Sequence, residues 1–304
     1  MQIAYIVLAH KHLEQLARLI GALNDEGVSF LVHLDRHADR AVGGDAWREL
    51  QGLIRPDVRL IPVPRQRCYW GSFSLVAATL AGIRALREAN VPFDRAVLIS
   101  GQDYPIKSRS RIREFLAAHP QQEFMESFAF ATPNRWSDYG GPYQAMARAT
   151  HWHLQLRGRW LHTRLRRRLP LGMQPHGGSQ WWCLTRACVE YIDEFCAAHP
   201  EVVRYFHHAF IPDEMFFQCI VANSRFAAHL AADNLTFVDS SSPTPPWPTT
   251  LDRHWFQRLM QSPKLYARKF DVTLDATILD MLDEAIAGAP RAGRRAPSVR
   301  ARLR

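Results

Sequence analysis

Residues 3–8 read Ile3-Ala4-Tyr5-Ile6-Val7-Leu8, a short and almost wholly apolar run near the start of the chain. Such a run predicts a strand that is buried on both faces of a sheet. A helical pattern over 11–23 follows it, and strand and helix patterns then alternate up to about residue 120. These further patterns cover 28–34, 58–63, 72–88, 96–99 and 111–118. The alternation predicts an α/β fold with a mixed, mainly parallel sheet and helices on both faces.

The second half of the chain has a less regular pattern. Its expected strands and helices cover 181–184, 185–198, 212–222, 235–238 and 277–287. Residues 132–173 are rich in Gly, Arg, Trp and His and give no clear assignment. We therefore expect one domain over 1–290, in two halves (1–120 and 121–290), followed by a basic, disordered tail over 291–304.

The composition is typical of a folded, globular chain. Hydrophobic residues make up 47% of the 304 residues, which include nine tryptophans. No apolar run is long enough to span a bilayer, and the amino terminus lacks the basic region and cleavage site of a signal peptide. The five cysteines are scattered without a Cys-x-x-Cys pair, which favours buried free thiols. We expect a cytoplasmic protein with no signal peptide and no transmembrane anchor.

The net charge of +9 is concentrated in two segments. Six arginines lie within 157–168 and six within 291–304, and neither segment contains an acid. Without these twelve charges the remainder of the chain would carry −3. The body of the chain is therefore not basic, and no base-reading module is found, so a nucleic-acid-binding protein is disfavoured.

Apolar residues are interspersed with the arginines of the first basic segment, Arg157–Arg168. They are Trp160, Leu161, Leu165 and the adjoining Leu169. If these side chains share one side, the segment can lie on an anionic membrane, and the tail over 291–304 adds to the attraction. The expectation is a protein that is peripheral on the inner face of a membrane. The alternative is a solvated loop followed by a disordered tail.

A pair of acids opens the helix predicted over 212–222. Asp213 and Glu214 follow Pro212, and the residues after them are largely apolar. Proline suits the first turn of a helix, and acids there are stabilised by the helix dipole. Such a carboxylate is expected to stay ionised at neutral pH and to take a proton from a substrate hydroxyl. The alternative is that both acids are ordinary residues of a helix amino terminus.

Two further segments carry polar groups where a ligand would be expected. Asp103 follows the strand over 96–99, and open α/β sheets bind ligands at the carboxyl ends of their strands. Residues 177–182 read Gly-Gly-Ser-Gln-Trp-Trp. The two glycines are expected to let the backbone approach a ligand, and the tryptophans offer an aromatic platform.

Two adjacent cations, Arg268 and Lys269, lie within the aromatic segment over 265–271. No Asp-x-Asp pair occurs in the chain, and no His or Cys cluster has the spacing of metal ligands. A site that holds phosphate without a metal must use cationic side chains, and this pair is suitable. We therefore expect neither a metal nor another cofactor.

These blocks, in this order, resemble one known family. Together with residues 33–36 (His-Leu-Asp-Arg) and 70–75 (Trp-Gly-Ser-Phe-Ser-Leu), they are similar to the core-2/I-branching glycosyltransferases. That family includes β-1,6-N-acetylglucosaminyltransferases and peptide O-xylosyltransferases. The likeness covers about residues 4–282. It implies a GT-A-like, Rossmann-like fold with a nucleotide-binding half over 1–120 and an acceptor and catalytic half over 121–290.

The resemblance also implies an activity. It is the metal-independent transfer of a sugar from a UDP-sugar to a hydroxyl of a glycan acceptor, with inversion to a β-linkage. We favour N-acetylglucosamine as the transferred sugar, with UDP-xylose as the alternative donor. A sugar-binding protein without catalysis is an alternative of a different class.

The resemblance assigns several residues to the donor. Leu8 and Asp35 match positions that bind uridine, and an acid at a strand end can accept the uracil N–H. Trp70 matches an aromatic residue that stacks on the base, and its alternative is a tryptophan of the core. Lys269, with Arg268 beside it, is implied to contact the diphosphate, and the alternative is a basic pair on the surface.

The remaining matches concern catalysis and the acceptor. Glu214 matches the general base. Asp103 matches a carboxylate of the xylosyltransferases with a catalytic or acceptor-binding role, and its alternative is an acid that caps a turn. The residues assigned to sugar and acceptor binding are Glu126, Arg135, Trp136, Ser179, Gln180, Trp181 and Asp213.

Overall fold

The computed structural model describes residues 1–156, 159–241 and 248–287. The predicted tail over 291–304, and Arg157 of the first basic segment, lie outside the described residues. The described residues form fourteen strands and eleven α-helices.

The strands are β1 (Ile3–Ala9), β2 (Val28–Leu34), β3 (Leu60–Pro62), β4 (Arg95–Ser100), β5 (Asp103–Pro105), β6 (Glu123–Met125), β7 (Phe128–Ala129), β8 (His151–Leu156), β9 (Arg159–Arg166), β10 (His176–Gly177), β11 (Trp182–Thr185), β12 (Leu230–Ala231), β13 (Thr236–Val238) and β14 (Tyr266–Arg268). The α-helices are α1 (Leu13–Leu23), α2 (Ala38–Val42), α3 (Ala46–Leu53), α4 (Phe73–Glu88), α5 (Arg109–Ala118), α6 (Ala145–Thr150), α7 (Arg186–Ala198), α8 (Pro200–Phe206), α9 (Phe216–Ala222), α10 (Phe256–Gln261) and α11 (Thr277–Ile286).

A seven-stranded sheet forms the centre of the structure, in the order β12-β6-β11-β4-β1-β2-β3. β1 pairs in parallel with β2 and β4, and β2 pairs in parallel with β3. β11 runs antiparallel to its neighbours β4 and β6. The prediction of a mixed, mainly parallel sheet in an α/β fold is confirmed, and the architecture is consistent with a GT-A-like fold.

Helices cover both faces of this sheet, and for this reason β1 is buried throughout. Ala4 and Ile6 pack into one core with residues of α4, α7 and α9. Tyr5 and Val7 point to the opposite face, into a second core with residues of α1, α3, α5 and α11. At Gly82, α4 lies so close to β1 that an added Cβ would be 2.6 Å from Ile6 Cγ2.

The predicted helix that carries the two acids is broken after its first turn. Pro212–Glu214 forms a separate 3₁₀ turn, and Met215 leaves helical geometry at φ −137° and ψ −35°. The carbonyl of Glu214 accepts the N–H of Gly178 (2.9 Å), a partner outside the helix. Asp213 and Glu214 therefore do not lie on the first turn of α9, and the helix-dipole argument for them is wrong.

A second, three-stranded sheet adjoins the central one. Its order is β13-β14-β5, and β14 is antiparallel to β5. Because β5 follows directly after β4, this sheet places Asp103 and Arg268, which face each other in the β5–β14 register, near the carboxyl end of the central sheet.

Candidate active site

The carboxyl ends of β1, β2 and β4 meet at one edge of the central sheet. Leu8, near the end of β1, lies opposite His33 of β2 and Ser100 of β4. Asp35 follows β2, and its N–H donates to the carbonyl of Ala9 (2.8 Å). The structure therefore brings together Leu8 and Asp35, the two residues predicted to bind uridine.

Asp35 also fixes the loop that leads to Trp70. Its Oδ2 accepts the N–H of Cys68 (2.9 Å), and its Oδ1 accepts the N–H of His37 (2.7 Å). Trp70 is 66% exposed and meets Phe210 edge to face, with ring centroids 6.0 Å apart. Trp70 is therefore not a core tryptophan, and its ring is available to stack on a planar ligand.

Asp103 and Arg268 form an ion pair in the interior. Arg268 Nε lies 3.4 Å from Asp103 Oδ1, and the Arg268 guanidinium also lies over Trp181, 4.1 Å from the ring centroid. Burial raises the pKa of Asp103 and lowers the pKa of Arg268, and the charge of each opposes the shift of the other. Asp103 is only 1% exposed. Its carboxylate faces Arg268 rather than solvent, which favours a role in holding Arg268 over a role as a base.

Two lysines add positive charge beside this pair. Burial lowers the pKa of Lys269, and the neighbouring cations Arg268 and Lys11 lower it further. Lys11, just beyond β1, is ion-paired with Asp271 (Nζ to Oδ2 2.7 Å). Within the described part of the chain, Lys269 has no carboxylate within ion-pair distance. The excess of positive charge suits a diphosphate. Lys11 is not among the site residues predicted from sequence, and its one signal is its position directly after the first strand.

The two glycines of the 177–182 segment make close contacts within the protein. A Cβ on Gly178 would lie 1.8 Å from the carbonyl oxygen of Glu126, and one on Gly177 would lie 2.3 Å from the Trp136 ring. The expectation that both glycines let the backbone approach a ligand is therefore corrected. They allow the segment to pack against Glu126 and Trp136, which are themselves predicted site residues.

Ser179, Gln180 and Trp181 connect these glycines to the interior ion pair. The Ser179 carbonyl accepts a hydrogen bond from the Gln218 side chain (2.6 Å). Trp181 is buried beneath Arg268. Gln180 Nε2 is buried without a hydrogen-bond partner among the described residues. An unpaired buried donor is unfavourable, so a bound sugar hydroxyl would offer Gln180 an acceptor.

Glu214 is a carboxylate that is partly open to solvent. Its side chain is 32% exposed, and its Oε2 lies 2.9 Å from Arg148 Nη1. Burial raises the pKa of Glu214, while the charges of Arg148 and Arg135 oppose the shift. A carboxylate whose pKa is raised is a stronger general base than an unperturbed one. The geometry and the electrostatics therefore both suit proton removal from a bound hydroxyl.

Asp213 differs from its neighbour. It is 6% exposed, and its Oδ1 has no hydrogen-bond partner within the described ranges. Burial and the nearby charge of Glu214 raise the pKa of Asp213 to about 7. Burial thus favours the neutral form of Asp213, against the expectation that an acid at this position stays fully ionised at neutral pH.

The structure brings Glu126, Arg135 and Trp136 close to Glu214. Glu126 Oε1 lies 2.8 Å from Arg135 Nη1, and the Arg135 guanidinium lies 5.5 Å from the Trp136 centroid. The charges of Glu126 and Arg135 both act on the pKa of Glu214. These three residues, assigned to the acceptor from sequence, therefore form one wall beside the candidate base.

Arg148 is a site residue that the sequence did not reveal. It is 3% exposed, and its guanidinium lies 4.0 Å from the Trp136 centroid. Its Nε donates to the carbonyl of Tyr143 (2.8 Å), which aims Nη1 at Glu214. Arg148 lies in the stretch that had no predicted secondary structure, and nothing in its spacing relates it to Glu214.

The fold and the grouping of these residues at the carboxyl edge of the sheet are consistent with the GT-A-like class. The family model described as Branch: Core-2/I-Branching enzyme matches residues 3–264. The chain belongs to the Core-2/I-Branching enzyme family, as the resemblance predicted.

Three similar proteins are each named as a xylosyltransferase. The chain is similar to xylosyltransferase 2 of Mus musculus and of Homo sapiens, each 27% identical over 319 residues that cover 95% of this chain and 34% of the relative. It is also similar to xylosyltransferase oxt of Drosophila melanogaster, 25% identical over 316 residues that cover 95% of this chain and 34% of the relative. The chain thus spans about a third of the length of these relatives.

Proposed function

We propose that the chain transfers a sugar from a UDP-sugar to a hydroxyl group of a glycan or protein acceptor, with inversion at the anomeric carbon. The observation that carries the proposal is the environment of Glu214. This part-exposed carboxylate is ion-paired with buried Arg148. Its negative charge also favours the charged form of Arg268, which lies beside Lys269. Membership of the family and the names of the relatives support the proposal.

The proposed reaction is a single displacement. Glu214 removes the proton of the acceptor hydroxyl, and the acceptor oxygen bonds to the anomeric carbon from the face opposite UDP. The bond from that carbon to the diphosphate oxygen breaks, and its electrons leave with UDP. Lys269 stabilises the negative charge that develops on UDP. One cation about 4 Å from a phosphate oxygen contributes roughly 4 kcal/mol at an effective dielectric of 20.

The donor nucleotide is proposed to lie across the strand ends. The uracil ring would stack on exposed Trp70, with its N–H directed at Asp35 and its edge against Leu8. Asp103 would act through Arg268, holding this cation beside the diphosphate. Ser179, Gln180 and Trp181 would then line the sugar, opposite the wall formed by Glu126, Arg135 and Trp136.

Two donor sugars, xylose and N-acetylglucosamine, are candidates. The names of the similar proteins do not support N-acetylglucosamine, the sugar favoured from the sequence. We propose UDP-xylose as the donor, with UDP-N-acetylglucosamine as the alternative.

The direct test is titration calorimetry with UDP, UDP-xylose and UDP-N-acetylglucosamine, together with measurement of UDP release, all in excess EDTA. We expect binding and turnover to persist, with UDP-xylose preferred, because Arg268 and Lys269 supply the charge for the diphosphate. The described residues hold no group of three or more His, Cys, Asp or Glu that could bind a metal ion. Absence of binding to all three compounds would overturn the proposed function, and a complete, reversible loss on chelation would overturn its metal independence.

Replacement of Lys269 by Ala should weaken UDP binding by about tenfold or more, since one phosphate contact contributes more than about 1.4 kcal/mol by this estimate. Turnover should fall as well. Lys264→Ala is the matched control, because Lys264 lies close in sequence but pairs with Asp233 (2.6 Å). Unchanged UDP affinity in Lys269→Ala would remove this lysine from the donor site.

We also propose that the β8–β9 hairpin contacts an anionic membrane on its cytoplasmic side. Leu161 and Leu165 lie on one face of β9 and are 61% and 68% exposed. Leu154, opposite Leu161 in the hairpin register, is 42% exposed. Arg159 and Arg164 are exposed on the same strand. An apolar face with cations beside it suits an anionic bilayer.

The hairpin changes how the basic segment is understood. Trp160 packs on Phe210 with centroids 5.0 Å apart, and Arg167 donates to the carbonyl of Tyr205 (2.6 Å). The expectation that Trp160 joins the apolar side is therefore wrong, because a strand alternates its side chains between two faces. In the three described ranges, no helix is both long enough and apolar enough to cross a membrane.

A double replacement, Leu161→Gln with Leu165→Gln, should weaken binding to anionic vesicles in co-sedimentation by at least about tenfold, because burial of even one leucine contributes about 1.5–3 kcal/mol and about 1.4 kcal/mol corresponds to tenfold. Wild-type binding should also fall with added salt and on deletion of residues 291–304. Leu274→Gln is a control, since Leu274 is 70% exposed but lies outside the hairpin. Equal recovery of the wild type with neutral and anionic vesicles would contradict the membrane proposal.

A further inference from the structure

A cavity of about 710 Å³ lies between α6 and the end of β9, apart from the candidate active site. Its lining residues are Gln144, Met146, Ala147, Thr150, His151, Arg166, Arg167 and Arg168. Helix α6 supplies three of these residues and also supplies Arg148 to the Glu214 site. The helix is therefore shared between the cavity and the candidate active site.

The cavity has an uncompensated positive charge. None of its three arginines forms an ion pair with a carboxylate among the described residues. The sequence from Tyr139 to Val189 contains eight arginines and no Asp or Glu, and the undescribed residues also contain no Asp or Glu. Adjacent cations repel one another, so three of them around one cavity favour an anionic ligand.

Arg167 is the fixed member of the three. Its Nε and Nη1 donate to the carbonyls of His151 (3.1 Å) and Tyr205 (2.6 Å), and its guanidinium lies 3.8 Å from the Tyr205 ring centroid. Its Nη2 has no hydrogen-bond partner among the described residues. Burial lowers the pKa of Arg167 to about 10, so the group remains charged at neutral pH. Arg166, in contrast, is exposed and can reach a ligand.

We propose that this cavity is a binding site for a phosphate group. Guanidinium groups bind the oxygens of phosphate with two parallel hydrogen bonds, and a group with up to two negative charges matches three adjacent cations better than a single carboxylate does. Arg167 is held in place and contributes positive charge to the cavity. Arg166 and Arg168 make the direct contacts with the phosphate. The phosphate can belong to a soluble phosphate ester or to a lipid headgroup. The proposal does not depend on sugar transfer.

The test compares two double variants in a titration with inorganic phosphate at saturating UDP. Arg166→Gln with Arg168→Gln removes two charges from the cavity. Arg159→Gln with Arg164→Gln removes two charges from β9, at residues that do not line the cavity. We expect the first variant to bind phosphate at least about tenfold more weakly than the wild type, since removal of a single charge-assisted hydrogen bond accounts for about that factor. The second variant should bind as the wild type does.

Equal weakening in both variants would show a diffuse charge effect and overturn the site, as would a wild type that binds no phosphate or a first variant with unchanged affinity. Thermal unfolding of both variants confirms that they are folded. Because the two variants share the same donor site, the comparison is independent of UDP binding and of the proposed transferase activity. Competition between phosphate and phosphatidate vesicles, measured with the Leu161→Gln, Leu165→Gln variant so that contact of the hairpin with the bilayer is weakened, would identify the source as a lipid headgroup, and lack of competition would identify a soluble phosphate ester.

Discussion

Replacement of Glu214 by Gln should lower kcat by at least about 100-fold, while the Kd for UDP changes by less than about twofold. The factor is that expected for loss of one general base. Glutamine keeps the shape of the side chain and a hydrogen-bonding group for Arg148, but it cannot accept the proton of the acceptor hydroxyl. UDP affinity should be retained because the proposed nucleotide site comprises the strand ends and Lys269 and does not include Glu214.

The measurement is steady-state UDP release with the preferred donor, combined with calorimetric titration of UDP. Glu190→Gln is the control for loss of one carboxylate, since Glu190 is exposed and pairs with Arg186 on α7. It should be without effect. Normal turnover of Glu214→Gln would contradict the assignment of Glu214 as the general base. Asp103 would then be the better candidate for the base, despite its burial against Arg268.

The regular part of the fold was accessible from the sequence. The apolar run of β1 and the helical patterns of α1 and α4 are local signals, and each element forms within a few residues of its predicted limits. Ser72 caps α4 by accepting the N–H of Ser74 (3.3 Å). Residues that follow strand ends were also found, because the carboxyl edge of an α/β sheet gathers them regardless of their separation in sequence.

The rest depends on contacts that have no local signature. The break after Glu214 arises where its carbonyl binds Gly178, a residue of another segment. The sequence predicts that the two glycines admit a ligand, whereas the groups that require them are the Glu126 carbonyl and the Trp136 ring. The burial of a side chain also has no local signal in the sequence. Asp213 and Glu214 are neighbours in sequence, yet Asp213 is almost fully buried and Glu214 is partly exposed.

Replacement of Arg148 by Met should move the acidic limb of the pH–kcat profile upward by about one pH unit or more. A base must be deprotonated to act, so activity rises as pH increases through the pKa of Glu214. The positive charge of Arg148 favours the ionised carboxylate and opposes the upward shift caused by burial. Without that charge the pKa of Glu214 rises further, and more alkaline solution is needed for the same turnover. One pH unit corresponds to about 1.4 kcal/mol of interaction free energy.

Stability and rescue separate this positioning role from simple unfolding. Breaking a fully buried ion pair costs about 3–5 kcal/mol, but Glu214 is 32% exposed and can take up a proton, so we expect a loss of about 2–3 kcal/mol. Arg148→Lys keeps the charge but loses the Nε bond to Tyr143, so its pH limb should stay near that of the wild type while kcat at the plateau falls. If Arg148→Met lowered kcat equally at all pH values, Arg148 would support the fold around Trp136 without tuning Glu214. The direction of the pH shift therefore decides whether the buried arginine acts on the base.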